Sequence, residues 1–127
     1  MDPKPLILIA DDDPDLRSLV RLHIEMLDCD VIEANDGAAA LENILVEQPD
    51  LVILDVMMPQ LTGWEILRYI RSKEAIADMK VLMLTGIGET LNELSSPMYG
   101  ADDYLDKPFK ADVLLTKVKK LLGLADA

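Results

Sequence analysis

Five short apolar runs, separated by stretches with helical spacing, limit this chain to very few architectures. The runs are Leu6 to Ala10, Val31 to Ala34, Leu51 to Leu54, Val81 to Leu84 and the shorter Tyr104-Leu105. Each has strand length and is apolar at consecutive positions, so both faces of the strand must be covered. Between them, Leu16, Leu19, Val20, Ile24 and Leu27 follow helical spacing, as do Ala38, Leu41 and Leu45, then Leu67 and Ile70. Val113, Leu114, Val118, Leu121 and Leu122 close the series. A β-α unit repeated in this way predicts a parallel sheet with right-handed crossovers and helices on both faces. The fold class is therefore α/β, a three-layer sandwich of doubly wound type.

The punctuation agrees. Asp13-Pro14 offers an N-cap followed by proline at the first helical position, Pro49 closes the second helical stretch, and Thr62-Gly63 precedes a helix. The fourth unit is irregular: "GETLNELSSPMYG" has few large apolar residues and carries Pro97, so its helix either stops near Ser95 or bends there. With 127 residues and no linker or repeat, the chain is expected to be one domain, 1–127.

Charge narrows the choice of partners. A net charge of -12 opposes binding to nucleic acid and to anionic membrane surfaces. No apolar run approaches the length of a membrane span and the start has no signal-peptide pattern, so the expectation is a soluble, cytoplasmic protein. The single cysteine, Cys29, and the single histidine, His23, exclude an internal disulfide and a Cys/His zinc site.

In open α/β sheets, ligands bind outside the carboxyl ends of the strands. The residues there are Asp11 and Asp12 after the first run, Asp55 after the third, Thr85 after the fourth and Lys107 after the fifth. Crowded carboxylates raise one another's pKa unless a cation intervenes. A set of carboxylate oxygens suits Mg²⁺, which fills the rest of its octahedron with water and phosphate oxygens. Asp55, alone at the end of an apolar strand, then suits nucleophilic attack on phosphorus to give an acyl phosphate. Lys107 would neutralise phosphoryl oxygens and the Thr85 hydroxyl would hydrogen-bond one of them. Asp13 reads instead as the helix N-cap, and Asp15 as a first-turn acid favoured by the helix dipole.

These residues lie in recognisable stretches: "ILIADDDPDLRSLV", "ANDGAAAL", "DLVILDVMMPQLTGWEIL", "VLMLTG", "GADDYLDKPF" and "VLLTKVKKLL". In that order and spacing the chain resembles, over essentially its whole length, a receiver domain of a two-component response regulator. The resemblance implies a flavodoxin-like five-stranded parallel sheet of order 2-1-3-4-5. It implies that Asp55 accepts a phosphoryl group from a histidine kinase or a histidine phosphotransfer domain. Asp11, Asp12, Asp55 and the backbone carbonyl of Met57 would hold Mg²⁺, and Lys107 would pair with the phosphoryl oxygens. Thr85 and Tyr104 would be the switch pair, and the Lys107-Pro108 bond would be cis.

The family commonly uses the face made by the fourth helix, the fifth strand and the closing helix for output or dimerisation. The break at Ser95-Ser96-Pro97 falls on that face, and Gly86 follows Thr85 where the family often has Ala. Lys110, Lys117, Lys119 and Lys120 form a basic stripe on the closing helix, read either as a partner surface or as a solvated face. The chain is expected to be a phosphorylation-dependent signalling switch and no enzyme beyond its own phosphorylation and dephosphorylation. No DNA-binding element lies in these residues.

Two other functions share the architecture. A haloacid-dehalogenase-type phosphatase also uses a strand-end Asp and Mg²⁺, but needs a second Asp as general acid where this chain has Met57. A nucleotide or flavin module would need a third glycine where Leu91 follows Gly86-Ile87-Gly88.

Overall fold

Successive side chains of a strand point to opposite faces, so a strand apolar at every position can fill two cores at once. The computed structural model, which describes residues 4–58, 61–86 and 100–124, is built on that arrangement. Strands β1 (Leu6–Ala10), β2 (Asp30–Ala34), β3 (Leu51–Asp55), β4 (Lys80–Thr85) and β5 (Asp103–Asp106) form one sheet of order β2-β1-β3-β4-β5. All four pairings are parallel. Leu8, Ala10, Val52, Leu54, Val81 and Met83 pack into one core, while Ile7, Ile9, Leu51, Ile53, Leu82 and Leu84 pack into the other.

Helices α2 (Gly37–Glu47) and α3 (Gly63–Ser72) cover the first face through Ala40, Ile44, Ile66, Leu67 and Ile70. Helix α1 (Pro14–Ile24) and the closing helix, α4 (Ala111–Leu122), cover the second through Val20, Ile24, Leu114 and Val118. Each such large apolar side chain contributes about 1.5–3 kcal/mol by leaving water. The three-layer α/β sandwich and the 2-1-3-4-5 order are as the sequence and its resemblance imply. The helical stretch read in "GETLNELSSPMYG", with its break at Ser95–Pro97, lies outside the described residues save for Gly100. Among the described residues no helix is long and apolar enough to cross a membrane.

Strand boundaries extend past the apolar runs because flanking polar residues also join the ladder. Asp30 pairs with Leu6, Asp55 with Leu84 and Thr85 with Asp106. The buried face of α2 differs from the one the spacing suggested. Gly37, Ala40 and Ile44 face the sheet, whereas Ala38 and Leu45 are exposed and Leu41 is half-buried. Apolar residues lie almost all round "GAAALENILV", so periodicity could not choose, and the start of the helix decides instead. Asp36 caps it by accepting from the Ala39 amide at 2.7 Å. Gly37 lies so close to Leu61 that an added Cβ would come within 2.6 Å of its Cβ and carbonyl oxygen. On α1, Leu19 is likewise 45 % exposed and only Val20 and Ile24 are fully buried.

The helix starts carry the caps that the sequence suggested. Asp13 accepts from the Asp15 and Leu16 amides at 3.0 and 3.4 Å, with Pro14 at the first helical position. Thr62 and Glu65 form a capping box. At the amino edge of the sheet, Arg71 donates to the carbonyls of Ala77, Met79 and Gly100 and to the Asp102 carboxylate. Asp102 also accepts from the Val81 amide at 2.8 Å, so one side chain of α3 ties the entries of β4 and β5 together.

Replacing Asp13 with Ala leaves two α1 amides without their side-chain acceptor. The expected cost is about 1 kcal/mol, read as a lower denaturant midpoint at unchanged m-value.

Candidate functional site

The carboxyl ends of β1, β3, β4 and β5 bring the candidate residues to one edge. Asp11 follows β1 directly; its amide donates to the Ala34 carbonyl at 3.1 Å, and its Oδ1 accepts from the Asp13 amide at 3.0 Å. Asp55 ends β3, and its Oδ1 accepts from Lys107 Nζ at 2.9 Å and from the Met57 amide at 3.3 Å. Lys107 is set in place by its own amide, which donates to the Thr85 carbonyl at 2.7 Å, and its bond to Pro108 is cis. The start of α3 presses on the same strand end. Gly63 donates to the Val56 carbonyl at 2.8 Å, and a Cβ on Gly63 would fall 2.4 Å from the Asp55 carbonyl oxygen. Only glycine permits that approach.

Asp11 and Asp55 are buried, Asp12 is exposed, and one carboxylate oxygen from each lies within 4.8 Å of the others. Burial pushes the Asp11 carboxyl from 3.8 up to about 7; the Asp13 amide pulls it down, the Asp55 charge pushes it up again and Lys107 pulls it down. Asp11 Oδ2 is buried with no hydrogen-bond partner among the described residues. A buried carboxylate oxygen needs a donor, a proton or a metal. Three carboxylates, one with an orphaned oxygen, fit a hard divalent cation that takes oxygen ligands and keeps some of its water.

Thr85 is fully buried at the same edge, and its hydroxyl donates to the carboxylate of Asp106, its register partner on β5. Tyr104 is half-buried, with its ring 6.1 Å from that of Trp64 at an angle of 43°. Met57 is 62 % exposed beside Asp55. The structure thus gathers Asp11, Asp12, Asp55 and Lys107 into direct contact range and seats Thr85 and Tyr104 on the adjoining strands. In the basic stripe of the closing helix, Lys117 is tied to Asp103 at 2.9 Å.

Two neighbours escape a reading of the sequence. Asp106 meets Thr85 only because of the β4–β5 register. Arg17 reaches back from α1 to donate to the Asp11 carbonyl at 2.8 Å. Its place four residues after the Asp13 cap is the one available signal, since one helical turn returns a side chain toward the preceding loop.

The model of the response regulator receiver domain matches residues 7–119. The DNA-binding dual master transcriptional regulator RpaA of Synechocystis sp. is 41 % identical over 122 residues, which are 96 % of this chain and 51 % of that protein. The alkaline phosphatase synthesis transcriptional regulatory protein PhoP of Bacillus subtilis is 37 % identical over 116 residues, 91 % of this chain and 48 % of that protein. The chain thus spans about half the length of the curated relatives it matches. Among solved structures, a putative response regulator from Chloroflexus aurantiacus superposes with a TM-score of 0.88 at 31 % identity, covering 96 % of this chain and 99 % of that one. The chemotaxis response regulator CheY4 of Vibrio cholerae gives a TM-score of 0.85 at 28 % identity over 93 % of this chain and 98 % of its own. With the family model covering nearly its whole length, this chain belongs to the response regulator receiver domains.

Proposed function

We propose that residues 1–127 form a single receiver domain that takes a phosphoryl group on Asp55 in a Mg²⁺-dependent reaction and changes conformation as a result. The observation that carries the reading is the setting of Asp55. Its carboxylate, 3 % exposed, is held by Lys107 Nζ at 2.9 Å beside two further carboxylates. Oδ1 is engaged by Lys107 and the Met57 amide, so the attack on phosphorus is assigned to Oδ2.

A histidine kinase or histidine phosphotransfer domain is the proposed donor. As the Asp55 oxygen bonds to phosphorus, the bond from phosphorus to the imidazole nitrogen breaks, and that nitrogen keeps the electron pair. Asp11, Asp12, Asp55 and the Met57 carbonyl are the proposed ligands of Mg²⁺, which supplies charge neutralisation to the phosphoryl oxygens when bound. Lys107 exchanges part of its pairing with Asp55 for those oxygens. Thr85 turns its hydroxyl from Asp106 toward the phosphoryl group, and Tyr104 changes rotamer with it, so modification biases two states of the β4–β5 edge.

The proposed output surface is the face around β5 and α4, and the setting is cytoplasmic, where a lone thiol such as Cys29 needs no partner. Self-phosphorylation and its reversal are the proposed extent of the chemistry. Met57 has no proton to give a leaving group at the place where a phosphatase of this architecture carries its acid, and the comparisons lend that alternative no support.

Incubation with Mg²⁺ and acetyl phosphate is expected to add one phosphoryl group by intact mass, and Asp55→Asn to remove the adduct. No adduct on the wild-type chain, or the same adduct on Asp55→Asn, overturns the assignment. The Asp11 carboxyl sets a second prediction. Raised to about 7, it holds a proton when folded that the unfolded chain loses near pH 4, so without metal the folded state binds more protons between those values. Stability in metal-free buffer is therefore expected to fall as pH rises from about 4 to about 7. Excess Mg²⁺ should flatten that fall. Asp11→Asn should abolish it and raise the metal-free Tm at neutral pH by about 4 °C, the shift that about 1 kcal/mol makes in a domain of this size.

A further inference from the structure

Arg17 is the arginine nearest the acid pair, and electrostatics alone would count it as a competitor of any cation bound there. Its contacts point the other way. Nη1 donates to the Asp11 carbonyl at 2.8 Å, while Nε donates to Glu33 Oε1 on β2 at 2.8 Å. The second Glu33 oxygen accepts from Arg21, which also pairs with Glu25 just past the end of α1. Burial works against the Glu33 charge, but the hydrogen bonds from Arg21 and Arg17 overcome it and hold the carboxyl below its usual range. Arg17 is 19 % exposed and its guanidinium charge is matched by a carboxylate that stays ionised.

The carbonyl that Arg17 grips belongs to the peptide group joining Asp11 to Asp12. That group is planar, so holding it fixes the positions from which both acidic residues leave the main chain. The preceding peptide group is held as well, because the Asp11 amide donates to the Ala34 carbonyl at 3.1 Å. The turn that presents the two carboxylates is therefore fastened to β2 twice, once through backbone and once through the Arg17–Glu33 pair.

We propose that Arg17, neutralised by Glu33, is a positioning residue that orients the Asp11–Asp12 pair for a divalent cation. The proposal rests on the metal-dependent reading of the site given above. It makes a prediction opposite in sign to the charge argument. Removing a nearby cation should tighten Mg²⁺ binding if charge governs; removing the residue that aims the ligands should weaken it.

The test is the thermal midpoint of the full chain titrated with MgCl₂, since a ligand that binds only the folded state raises Tm by mass action. The metal-free midpoint reports structural damage, and Kd, fitted to the logarithmic rise of stability with Mg²⁺ concentration, reports affinity. Arg17→Gln is expected to raise that Kd about tenfold, the usual scale for loss of a group that orients a metal ligand. Phosphorylation by acetyl phosphate should return to near the wild-type extent once Mg²⁺ saturates. Arg17→Lys keeps the charge and one donor within reach of the Asp11 carbonyl but loses the forked grip on Glu33, so its Kd should fall between those of the wild type and Arg17→Gln.

Unchanged or tighter Mg²⁺ binding in Arg17→Gln overturns the proposal. If Arg17→Gln does not fold, Arg17→Lys decides: weaker binding at unchanged charge supports it, and wild-type binding overturns it. A wild-type chain that neither responds to Mg²⁺ nor takes a phosphoryl group defeats the broader reading instead. A wild type that does both beside an Arg17→Gln that titrates identically defeats only this role of Arg17.

Discussion

Two buried carboxylates at neighbouring strand ends, Asp11 and Asp55, repel each other, and much of the carboxyl edge of the sheet bears on that repulsion. Lys107 offsets one of the charges through its 2.9 Å contact, and the Asp13 amide stabilises the other. Neither reaches Asp11 Oδ2. That oxygen is therefore a point of local electrostatic strain that a proton or a cation would relieve. Sites held in an unfavourable ground state are common where binding must alter the fold's balance. Here the strain lies at the junction of three connections, so relief at one point bears on β1, β3 and β5 together.

Most of the scaffold is legible in the sequence because burial on both faces leaves a mark that few other structures leave. A parallel strand such as Leu51 to Leu54 is apolar at every position, and its charged end at Asp55 has no packing explanation. Site residues at strand ends follow from the general geometry of doubly wound sheets, which is why Asp11, Asp12, Asp55 and Lys107 can be gathered before any coordinates exist. The face of α2 is not legible, since an almost wholly apolar helix has no weak side to expose, and contact of Gly37 with Leu61 makes the choice. The contact of Thr85 with Asp106 is also beyond reach, because it depends on the β4–β5 register. Arg17 is missed for a related reason: its role lies in the direction of one side chain and in the loop to which it returns.

Gly63 and Lys107 show how closely chemistry and packing share the same atoms. The main chain of α3 comes within a methyl group's reach of the Asp55 carbonyl, so the first turn of that helix and the strand end cannot shift independently. Lys107 holds Asp55 through its side chain and β4 through its amide. At this strand end a charged residue thus joins three strands of the sheet, and an uncharged one sets the approach of the helix layer.

The Arg71 knot at the other edge of the sheet has a mechanical consequence. It fastens the entries of β4 and β5 to each other and to α3 through Ala77, Met79, Gly100 and Asp102. The other ends of the same strands are joined as well, where Thr85 meets Asp106 and the Lys107 amide donates to the Thr85 carbonyl. The two strands are thus held at both ends, by Arg71 at the amino edge and by Lys107 at the carboxyl edge, so a change at either end is taken up between two anchors.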